Sequence, residues 1–394
     1  MLTAGYTGPL SLEVFNDVFR QADPGRAAID ALRSLLALQE ETASRLAPEV
    51  RRRAGLLELP APQQLNGHAF VELAVDGGSA GHVEQALHAL GFARTGQHRS
   101  KPVQLWQQGD SRLLLNAAAG RPGASIAALG VETSDASAST RRAEALLAPV
   151  LPRARGQAEA DLSAVAAPDG TSVFFCTTGS GASGWLADFA PAGDPAPTGT
   201  PVGITHVDHV ALAQPFDHFD EAALFYRSVL GLRPQHSSEV AAPFGLVRNR
   251  TVSDPAGTVR IGMSVSVLRR GPEWQPGVTD PQHVAFASDD VLAAARAARA
   301  AGAPLLDIPD NYYDDLDARL APPPALLEDM RALGVLYDRD ADGEFLHFYT
   351  QILGGRVFFE VVQRIGAYAG YGELNSPVRM AAHRRQRAAT SATP

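Results

Sequence analysis

Apolar residues recur along this chain with two alternating periods. Runs at 70–75, 103–106 and 112–115 are short, rich in Val, Leu and aromatic residues, and set off by turn residues, which predicts strands. Between the first two, residues 83–90 carry apolar positions at helical spacing and stop at Gly91, a residue suited to the left-handed turn that ends a helix. A second unit follows, with a strand at 127–131, a helix over 139–147 and a strand at 171–177. The order then returns. A strand around His209 leads to a helix over 220–230 stopped by Gly231, and strands follow at 246–252 and 259–267. A strand around His283 leads to an Ala/Arg-rich helix over 291–301 stopped by Gly302. After a loop come 334–337, a turn at 338–343, a strand at 344–349, and a last strand over 356–364.

Polar residues inside three of these runs change the picture. His209 opens His-Val-Ala-Leu, His283 opens His-Val-Ala-Phe, and Glu360 stands inside Val-Phe-Phe-Glu-Val-Val. A carboxylate in such a run is costly unless something pairs with it. A strand paired with an arginine, or one with a wet face, would explain any one of the three. Laying the two halves on each other explains all three together. Matching Val71–Ala74 to Val210–Ala213, Ser134-Asp135 to Ser288-Asp289 and Val173–Cys176 to Val357–Glu360 aligns Phe70, Leu129 and Cys176 with His209, His283 and Glu360. Two imidazoles and a carboxylate are the ligand set of a mononuclear non-haem Fe(II) site with open positions. His206, at odd offset from His209, faces away, while His218 and His236 sit in polar surroundings and are expected to be solvated.

The first sixty residues read differently. A strand-like Leu-Ser-Leu-Glu-Val-Phe at 10–15 precedes a helix with Pro24 in its first turn and an apolar face through Ala28, Leu32, Leu35, Leu36 and Leu38. One strand and one helix bury little alone, so this stretch is expected to be a remnant of a preceding domain. Residues 181–203 are rich in Gly, Ser, Ala and Pro and read as a linker, with Trp185–Phe189 docking on a neighbour. The basic end beyond 376 is expected to fray.

Composition narrows the partners. The 394 residues suffice for two or three cores, and 45% hydrophobic with 20% charged residues is ordinary for a globular chain. A net charge of -9 argues against nucleic acid or an anionic membrane. The single Cys176 excludes an intramolecular disulfide and a cysteine-based zinc site. No apolar run approaches a membrane span, and no signal peptide opens the chain, so a cytoplasmic location is expected.

Paired βαβββ units with His, His and Glu on first and last strands resemble the vicinal oxygen chelate superfamily. Residues 204–376 resemble 4-hydroxyphenylpyruvate dioxygenases through the His209 run, Phe225-Tyr226 to Gly231, Gln282–Phe286, Tyr312–Leu316, Leu333–Leu336, Asp340–Gly343, Phe359–Arg364, and Tyr371 with Asn375. The resemblance implies an α+β fold of four βαβββ modules in two domains, each a half-open barrel-like sheet. The expected divisions are 1–62 (remnant and linker), 63–180 (metal-free), 181–203 (linker), 204–376 (metal-binding) and 377–394 (flexible tail). It implies Fe(2+) on His209, His283 and Glu360, with Co, Mn, Mg or Zn able to stand in. It also implies that Gln282, His347, Tyr349, Tyr371 and Asn375 face a 2-oxoacid, that O2 is the co-substrate, that the role lies in aromatic amino acid catabolism, and that the chain forms a homo-oligomer. There are departures. The family's Asn-Glu-Pro and Ser-Gln-Ile segments are missing from the short stretch 265–281, a family glutamine is His347, and a family phenylalanine is Ser376. All concern the far end of an aromatic substrate. The 5–17 stretch resembles the end of the barrel in 3-dehydroshikimate dehydratases, whose metal-binding Glu would map to Glu13. That arrangement leaves two expectations: an iron dioxygenase, or a metal-binding but catalytically silent domain of a dehydratase.

Overall fold

In the computed structural model, residues 1–118, 120, 122–152, 155–156, 159–177, 184–192, 202–243, 245–269 and 281–391 are described. The chain opens with three helices, α1 (Asp17–Gln21), α2 (Pro24–Ser44) and α3 (Pro48–Ala54). Asp23 caps α2 by accepting from the Arg26 N–H, and Pro24 supplies the fixed φ of a first helical turn. The 10–15 run forms no strand. Leu10, Leu12, Val14 and Phe15 are exposed, as is Glu13, because alternation alone does not make a strand without a ladder to join.

The first sheet is built from β1 (Leu65–Ala74), then α4 (Ala80–Ala89), β2 (Ala93–His98), β3 (Val103–Gln108), β4 (Ser111–Asn116) and β5 (Ser125–Thr133). It continues through α5 (Ala136–Ala145), β6 (Ser163–Ala166), β7 (Ser172–Cys176) and β8 (Phe189–Pro191), in spatial order β6-β7-β5-β1-β4-β3-β2-β8. Its second module therefore has two strands after the helix among the described residues, not three. The 181–203 stretch is more than a linker where it is described: Trp185 is buried, and β8 pairs with β2.

The second sheet follows the same plan. It comprises β9 (Ile204–Ala213), α6 (Phe219–Val229), β10 (Arg233–Ala242), β11 (Gly245–Ser253), β12 (Arg260–Arg269) and β13 (Gln282–Ser288). Then come α7 (Val291–Ala300), α8 (Asp310–Leu320), α9 (Pro324–Leu333), β14 (Leu336–Arg339), β15 (Gly343–Tyr349), β16 (Val357–Gly366) and α10 (Ser376–Ser391). The order is β10-β11-β12-β9-β13-β16-β15-β14. Two differences from expectation stand out. The stretch before 334 is two helices rather than a loop, with Tyr312, Tyr313, Leu316, Met330 and Leu333 buried. The basic end is a helix that buries Met380, Ala382 and His383, since its arginines can extend outward while small and apolar residues pack.

Both sheets turn one face to helices and curl the other inward. The main apolar core runs continuously through both, with Phe92 and Phe286 meeting at 5.0 Å between ring centres. α2 ties the halves together. Buried Arg33 donates to the Leu146 carbonyl at 2.8 Å, and buried Arg142 donates both to Glu40 and to the Ser228 carbonyl.

Candidate metal centre

The centre lies on the inward face of the second sheet. Register places His209 of β9 opposite Ala285 of β13, and Ala285 opposite Glu360 of β16. The small Ala285 leaves space between its two flanking side chains, and His283, two residues back along β13, points the same way. His209 Nε2 lies 3.2 Å from His283 Nε2 and 3.3 Å from Glu360 Oε2, and His283 Nε2 lies 3.1 Å from that same oxygen. Three mutually cis ligand atoms on an octahedral metal with bonds of about 2.1 Å would be about 3.0 Å apart. The triad thus fits one divalent ion and leaves the opposite positions open. Among the described residues, it is the group of His, Cys, Asp or Glu that meets this geometry.

Each ligand is held from behind. Register shifts between β9 and β13 mark a bulge around Asp208, which explains how neighbouring strand residues come to meet. Asp208 Oδ1 accepts from the His209 Nδ1–H at 2.7 Å, which turns Nε2 toward His283 and Glu360. Arg364 grips Asp208 through Nε at 2.8 Å and Nη2 at 2.9 Å, and Arg260 adds a third contact at 3.2 Å. Burial works against the Asp208 charge, but the hydrogen bonds from Arg364 and His209 outweigh it and hold its pKa far below the usual carboxylate value. Glu360 behaves alike: burial opposes its charge, and hydrogen bonds from His209, His283 and His347 keep it well below the ordinary range. Burial lowers the His283 pKa to about 4, so its nitrogen is neutral near pH 7.

The expected substrate residues divide. Tyr349 and Tyr371 line a cavity of about 100 Å³ beside the triad, together with Phe358, Ser376 and Arg379. Gln282, His347 and Asn375 do not. Gln282, on the opposite face of β13 from His283, is buried and accepts from the Ile126 N–H of the first sheet. His347 is fully buried, and its Nδ1 meets Glu360 Oε1 at 2.6 Å. Asn375 Nδ2 meets His347 Nε2 at 2.9 Å, and Asn375 Oδ1 accepts from the Tyr312 hydroxyl. Asn375 therefore fixes the His347 tautomer with its proton on Nδ1, aimed at Glu360. The shortened stretch before His283 lies mostly outside the described residues. Asp208, Arg260, Arg379 and the role of Arg364 were not foreseen; the Asp208-His209 neighbourhood was the one available signal.

A larger cavity of about 290 Å³ lies between α2 and α6 and is lined by none of the triad residues. Its Arg26 is already paired with Glu221 and His218, so the chemistry points to the smaller cavity.

The ladders also correct the alignment of the two halves. With Phe70 set on His209, their partners Gly130 and Ala285 become equivalent, and so do Phe174 and Glu360. Ala128, not Leu129, then matches His283, and Phe174, not Cys176, matches Glu360. The helix caps Asp135 and Asp290 agree with the Ala128 match, since the same spacing separates both pairs. Local sequence likeness had shifted one strand by one residue and the other by two.

Two curled eight-stranded sheets with a His, His, Glu set on one inward face define a glyoxalase/dioxygenase-like fold. The profile described as "Hydroxyphenylpyruvate dioxygenase, HPPD, N-terminal" matches residues 59–182, and that of the Glyoxalase/Bleomycin resistance protein/Dioxygenase superfamily matches 206–319. The chain thus carries a 4-hydroxyphenylpyruvate dioxygenase N-terminal-like domain and a domain of the glyoxalase/dioxygenase superfamily. It is 38% identical to a 3-dehydroshikimate dehydratase of Pseudomonas putida over 420 residues, covering all of this chain and 64% of that protein. The chain thus spans just under two thirds of this relative's length. A 4-hydroxyphenylpyruvate dioxygenase of Pseudomonas aeruginosa is 27% identical, covering 81% of this chain and 93% of its own. A solved xylose isomerase-like TIM barrel/4-hydroxyphenylpyruvate dioxygenase fusion protein superposes with a TM-score of 0.84 at 36% identity, over 98% of this chain and 63% of that one. No helix among the described residues is long and apolar enough to cross a membrane.

Proposed function

We propose that the chain is an Fe(II)-dependent dioxygenase of the 4-hydroxyphenylpyruvate dioxygenase type. In this reading it acts on an aryl or related 2-oxoacid, which loses CO2 while O2 is incorporated. The observation that carries the reading is the mutual spacing of His209 Nε2, His283 Nε2 and Glu360 Oε2, with one side of the set facing a cavity. Iron held there would supply the one-electron chemistry with O2 that side chains lack. The chain's own residues do the rest. Asp208 keeps the His209 proton on Nδ1, and His347 occupies Glu360 Oε1 so that Oε2 stays turned to the histidines. Tyr349, Phe358 and Tyr371 restrict water around the open side and orient the bound acid.

The test is O2 consumption by Fe(II)-loaded protein with 4-hydroxyphenylpyruvate, phenylpyruvate and aliphatic 2-oxoacids, beside a Glu360→Ala control. Uptake that requires iron and an oxoacid and vanishes in the control is the expected result. Iron bound at one per chain with no uptake for any acid would instead favour a silent domain of a dehydratase, the reading that the dehydratase names of the relatives support.

A further inference from the structure

The cavity beside the triad has two unlike walls. On one side the rings of Tyr349 and Phe358 stand next to His283. Facing them are Asn249 and Thr251 of β11 and Ser264 of β12. Their direction follows from register: Thr251 pairs with Gly262, Asn249 with Ser264, and Gly262 with Ala211, two residues from His209 on the same face. Arg248 turns outward to Glu239, and Arg250, at the cavity's edge, is paired with Asp220.

Several polar groups on this wall and around it are unspent. The Arg379 guanidinium lies 5.1 Å from the Phe358 ring centre and 5.7 Å from that of Tyr349. Among the described residues, no carboxylate lies within salt-bridge distance of it. Glu373, also at the cavity, accepts from the Tyr371 N–H through Oε2, while its buried Oε1 has no hydrogen-bond partner and only His236 Nε2, at 4.0 Å, near it. Asn249 reaches only Ser238, at 3.5 Å. Asn249, Ser264 and Arg379 are half-buried, and donors and acceptors that a ligand covers are costly when unmade, so this wall favours a ligand that completes them over one that covers them with hydrocarbon.

Resting on the dioxygenase reading above, we infer that the site takes a hydroxylated 2-oxoacid, with Arg379 balancing its negative charge and Asn249, Ser264 and Glu373 receiving its hydroxyl groups. An unsubstituted aryl ring would satisfy the aromatic wall and strand the polar one. Asn249 and Ser264 are then specificity residues, and neither is a metal ligand.

The experiment titrates protein loaded with Co(II) and follows the visible spectrum of the metal. The probes are phenylpyruvate and 2-keto-3-deoxygluconate, a six-carbon 2-oxoacid bearing hydroxyl groups. The hydroxylated acid is expected to bind at least about tenfold tighter, because a site built to hydrogen-bond hydroxyls discriminates against ligands that lack them. In an N249A/S264A variant that gap should close while phenylpyruvate binding holds. Arg379→Ala should weaken both acids, and Arg379→Lys should restore part of the loss. Phenylpyruvate binding as tightly as the hydroxylated acid would overturn the substrate class and leave the dioxygenase reading standing. Stoichiometric cobalt that responds to no 2-oxoacid would overturn both.

Discussion

The two sheets share a strand plan and a register, and they differ in what fills the concave side. In the first, the row that crosses the centre reads Phe70, Gly130, Phe174; in the second it reads His209, Ala285, Glu360. Phe70 sits so close to Gly130 that any Cβ there would meet its ring at 2.5 Å. It also packs on Phe174 at 5.8 Å and on Trp185 at 5.1 Å between ring centres, so the first half closes around an aromatic plug. The second half widens the middle residue by one methyl group and replaces the two flanking phenylalanines with smaller, polar side chains. Its flanking side chains stop short of each other, and the gap has the dimensions of a cation. One scaffold thus yields a core in one copy and a site in the other by exchanging a handful of inward residues.

That contrast can be broken most severely at a ligand. His209→Phe puts the first half's aromatic residue into the second, and the variant should retain no metal after gel filtration, as read by elemental mass spectrometry. In the opposite half, Phe70→Ala should lower stability by about 3–5 kcal/mol, the range for emptying a buried aromatic site. Metal content per folded chain should stay unchanged; the urea midpoint and the metal assay together check this. A subtler probe is His347→Leu, which leaves Glu360 Oε1 without its donor. Loss of such a supporting hydrogen bond should weaken metal binding by about 10–100-fold, with Gln in place of Leu recovering part of it, measured by competition with a chelator.

The last effect depends on pH and concerns His68, buried on β1 with both ring nitrogens unpaired. Burial, followed by the nearby His209, lowers its pKa to about 4. Because the folded value lies below the unfolded 6.5, the unfolded chain takes up the proton first as pH falls. Stability is therefore lost between about pH 6.5 and pH 4, by on the order of 3 kcal/mol at most from this residue. His68→Leu should flatten that part of the pH profile of the urea midpoint, and an unchanged slope would contradict the assignment.

The triad was legible in the sequence because His and Glu inside β-branched runs are conspicuous against the burial that surrounds them. The support behind it was not. Asp208 reaches His209 only through a bulge, and Arg364 and Asn375 act through contacts between segments far apart in the chain. The register of the two halves misled for a related reason: Val-Phe-Phe recurs in both last strands, but the ladder partners, not the letters, decide which residue points inward. β10 escaped notice because its Arg-Pro-Gln-His-Ser-Ser run is an exposed edge with little apolar alternation. α10 escaped because its arginines mask the few positions that pack.

The central claim is that one half holds a metal and the other cannot. The most direct test is a Co(II) titration of metal-free protein beside an H209F/H283A/E360F variant, which gives the second half the residues of the first. The account predicts one ion per wild-type chain, a visible spectrum that changes when a 2-oxoacid is added, and no tight binding in a folded variant. Cobalt bound with undiminished affinity by that variant, or no tight site in the wild type, would contradict it.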